Sequence, residues 1–160
     1  MSAATIETIR IQTSDGLHVA CDVLGRSGSR RPVIFLHGGG QTRHSWGSTA
    51  SQVAVNGHPC WSVDLRGHGE SDWAPDGDYS TEAMVEDLGA ILTQIGRPPV
   101  LVGASMGGLV GLMSEGKLRP GGLWGLVLVD VATQLEAEGV ERIVSYMSGA
   151  PDSFETLEET

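Results

Sequence analysis

A chain of 160 residues, 40% of them hydrophobic, can bury the core of one domain. None of its apolar runs approaches the roughly 18 residues that a membrane span requires. Its net charge of −10 and its dispersed arginines exclude a nucleic-acid partner, since phosphate binding needs a basic surface.

Met1 to Ile11 alternates polar with apolar residues and carries Glu7, unlike the charged-then-apolar pattern of a secretory signal, so a cytoplasmic protein is expected. Residues 5–11 and 17–23 alternate with a period of two around the Ser14-Asp15-Gly16 turn, which predicts an antiparallel hairpin. From residue 32 the pattern changes to continuous apolar runs separated by helical stretches, the mark of parallel strands buried on both faces. Strands are expected at about 32–37, 59–64, 99–103 and 125–130, with helices at about 43–56, 80–95 and 105–116. Ser80 is a suitable N-cap for the middle helix, with Glu82 in its first turn. The resulting order, β-β-β-α-β-α-β-α-β, is an α/β fold with a mostly parallel sheet and an N-terminal antiparallel hairpin.

Cys21 and Cys60 fall in predicted strands with neither C-x-x-C nor metal-ligand spacing, so they are read as small buried hydrophobes. No metal and no organic cofactor is implied by any residue cluster. Past Asp130 the chain turns helical and acidic, with Leu135, Val140, Ile143, Val144 and Met147 spaced along it, and Gly149-Ala150-Pro151 breaks it before a capping-box pattern from Asp152 to Glu155. The acid there is read as a solvated helical face. The chain divides accordingly into a core, 1–132, and a second segment, 133–160.

The chemistry concentrates at Gly103-Ala104-Ser105-Met106-Gly107, a G-x-S-x-G element between the apolar run 99–102 and the small-residue run 108–113. Such a serine sits on a sharp strand-to-helix turn, and glycines at 103 and 107 remove side chains that would collide with neighbouring backbone. The Met106 N–H, at the helix N-terminus beside the hydroxyl, can donate to a developing oxyanion. Small residues at such a junction also serve plain packing, so the surrounding motifs decide. Pro32 to His37 reads as a buried strand running into Gly38-Gly39-Gly40, and Asp64-Leu65-Arg66-Gly67-His68-Gly69-Glu70-Ser71 follows a second buried strand.

With these three motifs in this order, residues 5–132 resemble the α/β-hydrolase fold. His37-Gly38-Gly39-Gly40 superficially matches the HGGG loop of hormone-sensitive-lipase-like esterases, but the D-x-R-G-H-G-x-S segment places the resemblance with the branch of proline iminopeptidases, cofactor-free haloperoxidases and C–C bond hydrolases. That resemblance implies a serine hydrolase with Ser105 as nucleophile and the N–H groups of Gly39 and Met106 as oxyanion hole. His37, Gly38, Gly103 and Gly107 are expected to support the site, His37 by hydrogen-bonding backbone to hold the glycine loop. It also implies that 133–160 begins an inserted helical cap, and that the fold is truncated after about its sixth strand.

In this family the triad partners follow the serine in the order Ser, Asp or Glu, His. All five histidines, His18, His37, His44, His58 and His68, precede Ser105. The chain is therefore read as the N-terminal portion of a serine hydrolase acting on ester-like or activated carbonyls of small molecules, incomplete and inactive by itself. A non-catalytic small-molecule-binding protein of the same fold is the alternative. Asp130, ending the strand after the nucleophile helix, is open to two readings, a strand-terminating cap or the catalytic acid. His68 is read as structural, as are Asp64, Arg66 and Ser71 in a network fixing their turn, and Trp46 as packing on the first helix. Oligomeric state and substrate identity are not specified by the sequence.

Overall fold

The computed structural model describes residues 5–131 and Ser145. The proposed cap and its capping box lie outside the described residues. Six strands form one sheet in the order β1-β2-β4-β3-β5-β6, with β1 Ile6–Gln12, β2 His18–Leu24, β3 Val33–Leu36, β4 Cys60–Val63, β5 Val100–Ala104 and β6 Gly125–Val129. The hairpin β1-β2 joins the sheet through an antiparallel pairing of β2 with β4, and the four strands from β4 to β6 run parallel.

The helices are α1 Gly47–Val55, α2 Thr81–Ile95 and α3 Met106–Met113. The first expected helix is divided, because Arg43–Trp46 forms a 3₁₀ turn ahead of α1. The third is shorter than expected, since α3 gives way to a π-type turn over Ser114–Leu118. Ser80 caps α2 as expected: its hydroxyl accepts from the Ala83 N–H at 3.2 Å, and Gly96, at φ 74, closes the other end with its N–H on the Leu92 carbonyl.

Strand order follows from one rule of handedness. The crossover from β3 to β4 runs one way along the sheet, whereas those from β4 to β5 and β5 to β6 run the other way. Right-handed crossovers therefore put α1 on one face and α2 with α3 on the opposite face. The side chains agree: Val33 and Phe35 pack with Ala50 and Ala54 of α1, while Ile34 and Leu36 pack with Leu88 and Ile91 of α2 and Val110 of α3. Burial on both faces explains why β3 and β4 read as continuous apolar runs. Winding reverses between β3 and β5, and in open α/β sheets the crevice beyond the carboxyl ends at such a point is where ligands bind.

Cys21 and Cys60 are free and buried, and burial pushes both thiols up, Cys60 to about 12. On β6 the alternation splits the strand. Leu126 and Leu128 approach α3 at Gly111 and Gly108, whereas Val127 and Val129 on the opposite face are 47% and 39% exposed.

Arg66 is buried and fixes the connection from β4 to α2. Its Nε and Nη2 donate to the two oxygens of buried Asp87 at 2.7 and 2.6 Å, and Nη1 donates to the Asp78 carbonyl. Removing one member of such a pair strands a charge, so Arg66→Leu is expected to cost about 3–5 kcal/mol by chemical denaturation. Arg66→Leu combined with Asp87→Leu is expected to cost less than Arg66→Leu alone.

Candidate active site

Ser105 is one of two non-glycine residues with positive φ among the described residues, at φ 45 and ψ −112. Such a conformation costs about 1–3 kcal/mol and persists only where its surroundings fix it. Here the Ser105 N–H donates to the Val129 carbonyl at 3.0 Å, and the Ser105 carbonyl accepts from the N–H groups of Gly108 and Leu109 at 3.0 and 3.1 Å. At about 0.5–1.5 kcal/mol each, these bonds are of the size needed to offset the strain.

The two flanking glycines are required by distance. A Cβ on Gly103 would stand 2.5 Å from the Gly107 carbonyl oxygen, and one on Gly107 would stand 2.6 Å from both Cβ and carbonyl oxygen of Leu36. The turn therefore closes against β3 as well as on itself, and the Gly107 N–H donates to the His37 carbonyl at 3.2 Å. Leu36 pairs with Gly103 across the sheet, so the loops after β3 and β5 leave the sheet side by side. A Cβ on Gly38 would lie 3.4 Å from Ser105 Cβ. The structure thus brings Ser105, Met106, Gly103 and Gly107 together with His37 and Gly38. Ser105 itself is exposed at the open carboxyl edge.

His37 is fully buried, and its ring nitrogens are both engaged. Leu65 N–H donates to Nε2 at 3.0 Å, so Nδ1 carries the proton and donates to the Gly38 carbonyl at 2.8 Å. Burial lowers its pKa below the ordinary histidine value, with the neighbouring His68 acting in the same direction. His68, read from the sequence as structural, has both ring nitrogens on backbone and reaches the glycine loop. Its ring centroid is 5.0 Å from that of His37, its Nε2 accepts from the Gly40 N–H at 3.3 Å, and its Nδ1 donates to the Arg66 carbonyl at 3.1 Å. The loops after β3 and β4 therefore clasp each other, each through one imidazole bonded to backbone.

The loop's remaining donors are consumed in the same way. Gly38 N–H donates to Gln41 Oε1 at 3.1 Å and Gln41 N–H to the Gly38 carbonyl at 3.2 Å. Of the N–H groups at 38–41, that of Gly39 finds no acceptor among the described residues, and neither does that of Met106. These are the two donors implied by the resemblance.

Beneath the glycine loop lies a feature that sequence reasoning missed. Arg43, 4% exposed, faces the carboxylates of Asp22, Asp64 and Glu70 from three different segments. Its backbone N–H also donates to Asp64 Oδ1 at 2.6 Å. Asp64 in turn accepts from the Glu70 N–H at 3.0 Å, while Ser71 Oγ donates to the Asp64 carbonyl at 2.7 Å and accepts from the Ala20 N–H at 2.8 Å. Gly69, at φ 52, passes so close to the Asp64 carboxylate that a Cβ would overlap it. The expected network of Asp64 and Ser71 thus extends to Arg43, whereas Arg66 belongs to the separate pair with Asp87.

Trp46 packs its ring 5.4 Å from that of Phe35, and the Met106 side chain lies half-buried against the core. Asp130 is the other positive-φ residue, at φ 53, and is exposed at the end of β6. Among the described residues no histidine donates to or accepts from Ser105 Oγ, and no group of three His, Cys, Asp or Glu side chains could hold a metal. No helix among them is long and apolar enough to cross a membrane. A concavity of about 620 Å³ between β1 and α2 shares no lining residue with this site. Its arginines, Arg10, Arg26 and Arg119, are already paired with Asp72, Glu7 and Glu86, so it offers no free charge.

A strained serine after β5 thus stands beside a glycine loop at the reversal of winding of an α/β sheet. The chain belongs to the family described as the alpha/beta hydrolase fold, which matches residues 31–137. An esterase of Mycobacterium tuberculosis is 40% identical over 123 residues, covering 74% of this chain and 40% of that protein. Protein phosphatase methylesterase 1 of Bos taurus is 32% identical over 139 residues, covering 83% of this chain and 37% of that protein. The crystal structure of an alpha/beta hydrolase from Novosphingobium aromaticivorans superposes with a TM-score of 0.82 at 30% identity, covering 92% of this chain and 52% of that one. The chain spans about two fifths of the length of these curated relatives.

The lowered pKa of His37 gives stability a pH dependence of known sign. The unfolded chain takes up its proton near pH 6.5 and the folded protein only at lower pH, so the contribution is complete above about 6.5 and is lost as pH falls toward the folded value. Chemical denaturation at pH 8 and pH 5.5 is expected to show lower stability at pH 5.5. The difference is expected to shrink in His37→Gln.

Proposed function

We propose that this chain is the nucleophile-bearing part of a serine hydrolase that cleaves small carboxylic esters through an acyl-enzyme. The observation that carries this reading is Ser105 at φ 45 on the β5–α3 turn, with the N–H groups of Gly39 and Met106 nearby and without acceptors among the described residues. The esterase and methylesterase names of relatives at 40% and 32% identity support the ester as substrate class.

In this mechanism Ser105 Oγ attacks the ester carbonyl carbon while its proton passes to a histidine contributed from outside this chain. The carbonyl oxygen becomes an oxyanion held by the Gly39 and Met106 N–H groups. The tetrahedral intermediate collapses with cleavage of the bond to the alcohol, which leaves with the proton returned by the histidine. Water then adds to the acyl-enzyme, the same histidine taking its proton, and collapse releases the carboxylic acid and restores the serine hydroxyl. His37 and His68 hold the glycine loop and take no part in proton transfer, because both nitrogens of each ring are committed to backbone. No step calls for a metal or an organic cofactor.

In the full-length protein, Ser105→Ala is expected to lower turnover of a p-nitrophenyl ester by on the order of a millionfold, and a fluorophosphonate to label Ser105. Labelling elsewhere, or an unaffected rate, would falsify the serine mechanism. Gly39→Pro deletes one donor and is expected to lower kcat about a hundred- to a thousandfold in a folded protein. Full activity of that variant would move the second donor elsewhere in the loop. The 160-residue chain assayed alone is expected to show no multiple turnover, and Ser105-dependent turnover by it would mean that the base lies within the chain.

A further inference from the structure

We propose that Gln41 is a positioning residue of the oxyanion loop, holding Gly38 so that the following peptide aims the Gly39 N–H at the substrate oxyanion; this rests on the ester-hydrolase reading above. Gly38 has no side chain to restrict its backbone, so its orientation must come from its partners. Gln41 supplies one on each side of the Gly38 Cα. Its carboxamide Oε1 accepts from the Gly38 N–H at 3.1 Å, and its own N–H donates to the Gly38 carbonyl at 3.2 Å. His37 Nδ1–H adds a second donor to that carbonyl at 2.8 Å.

In a trans peptide the N–H of the next residue points opposite to the carbonyl. Fixing the Gly38 carbonyl on His37 and Gln41 therefore directs the Gly39 N–H away from both. Gly38 lies between the carboxamide and the serine, since a Cβ on it would stand 3.3 Å from Gln41 Oε1 and 3.4 Å from Ser105 Cβ. His37 is buried and holds two loops together, so its loss would disturb the fold. Gln41 is exposed, and its side chain makes no other hydrogen bond among the described residues. Its substitution therefore separates the aim of the donor from the stability of the protein.

The test compares Gln41→Met and Gln41→Ala with wild type in the full-length protein, using a p-nitrophenyl ester and a trifluoromethyl ketone that forms a hemiketal oxyanion on Ser105. A donor displaced by about 1 Å costs up to about a hundredfold in rate. Both variants are expected to lose about tenfold or more in kcat and to bind the ketone more weakly by a similar factor, with KM within about twofold and Tm unchanged. Unchanged kcat and ketone affinity overturn the proposal. So does a rise in KM alone, which marks a substrate contact, or a fall in Tm that tracks the loss of kcat, which marks an ordinary structural residue. A wild-type protein without Ser105-dependent ester turnover removes the ester-hydrolase reading and this proposal with it. A Ser105-dependent esterase indifferent to both substitutions removes this proposal alone.

Discussion

The approach of α3 to β3 is the constraint on which the site depends. Gly107 lies so close to Leu36 that a Cβ would stand 2.6 Å from its carbonyl oxygen. No other residue permits that distance, and the distance brings the start of α3 within reach of the loop after β3. Gly103 meets the same requirement inside the turn. The left-handed backbone of Ser105 follows, because a strand that must turn into a helix within so few residues has no relaxed path. A serine built this way is positioned by packed backbone, and its main-chain geometry does not rely on the rotamer of a supporting side chain.

The glycine loop uses a different device. Its residues have little shape of their own, and of the four N–H groups at 38–41 three have acceptors among the described residues, Gln41 Oε1, His68 Nε2 and the Gly38 carbonyl, whereas that of Gly39 has none. The side chains that hold the loop are His37, His68 from the loop after β4, and Gln41 of the loop itself. Under this loop Arg43 ties β2, β4 and the turn after β4 through three carboxylates. Burying a guanidinium is unfavourable unless it is paired; Nη1 and Nη2 donate to Asp64 and Glu70, while Nε stands 3.1 Å from Asp22 Oδ1 without a hydrogen bond, so the cluster favours the arrangement that keeps all three carboxylates around it. The D-x-R-G-H-G-x-S motif reads physically as the other half of the clasp. Asp64 receives Arg43, Gly69 makes room for that carboxylate, His68 reaches Gly40, and Ser71 bridges Asp64 and Ala20.

Much of this is legible in the sequence because it is local. Continuous apolar runs mark strands buried on both faces, and G-x-S-x-G marks a turn whose glycine requirement is decided within five residues. The same is true of Ser80, whose capping bond spans three residues. What was not legible is made of long-range partners. Nothing near Arg43 distinguishes it from a surface arginine, since Asp22 and Asp64 each lie 21 residues from it and Glu70 lies 27 away. A signal existed only in combination: an arginine just past a glycine loop, with an acid in the preceding hairpin and others in the following turn. Gln41 escaped notice for a related reason, because a glutamine in a polar loop looks solvated until the acceptor need of Gly38 is counted. Placement of β4 between β2 and β3 depends on pairing choices that runs of apolar residues do not encode.

The edge strand and the proposed nucleophile are mechanically joined. The Ser105 N–H donates to Val129, the last residue of β6, and Asp130, the other left-handed residue, comes next. Leu126 and Leu128 anchor β6 against α3, but Val127 and Val129 face out on the other side of the sheet. An apolar strand packed on one face has weaker resistance to local opening than β3 or β5, which are flanked by strands and covered by helices. Opening at Val129 would release the Ser105 N–H and with it part of what offsets the strained φ. Contacts that cover Val127 and Val129 would thus act on Ser105 without touching it. The fold thus positions Ser105 from both neighbouring strands, through Leu36 on one side by excluded volume and through Val129 on the other by a hydrogen bond.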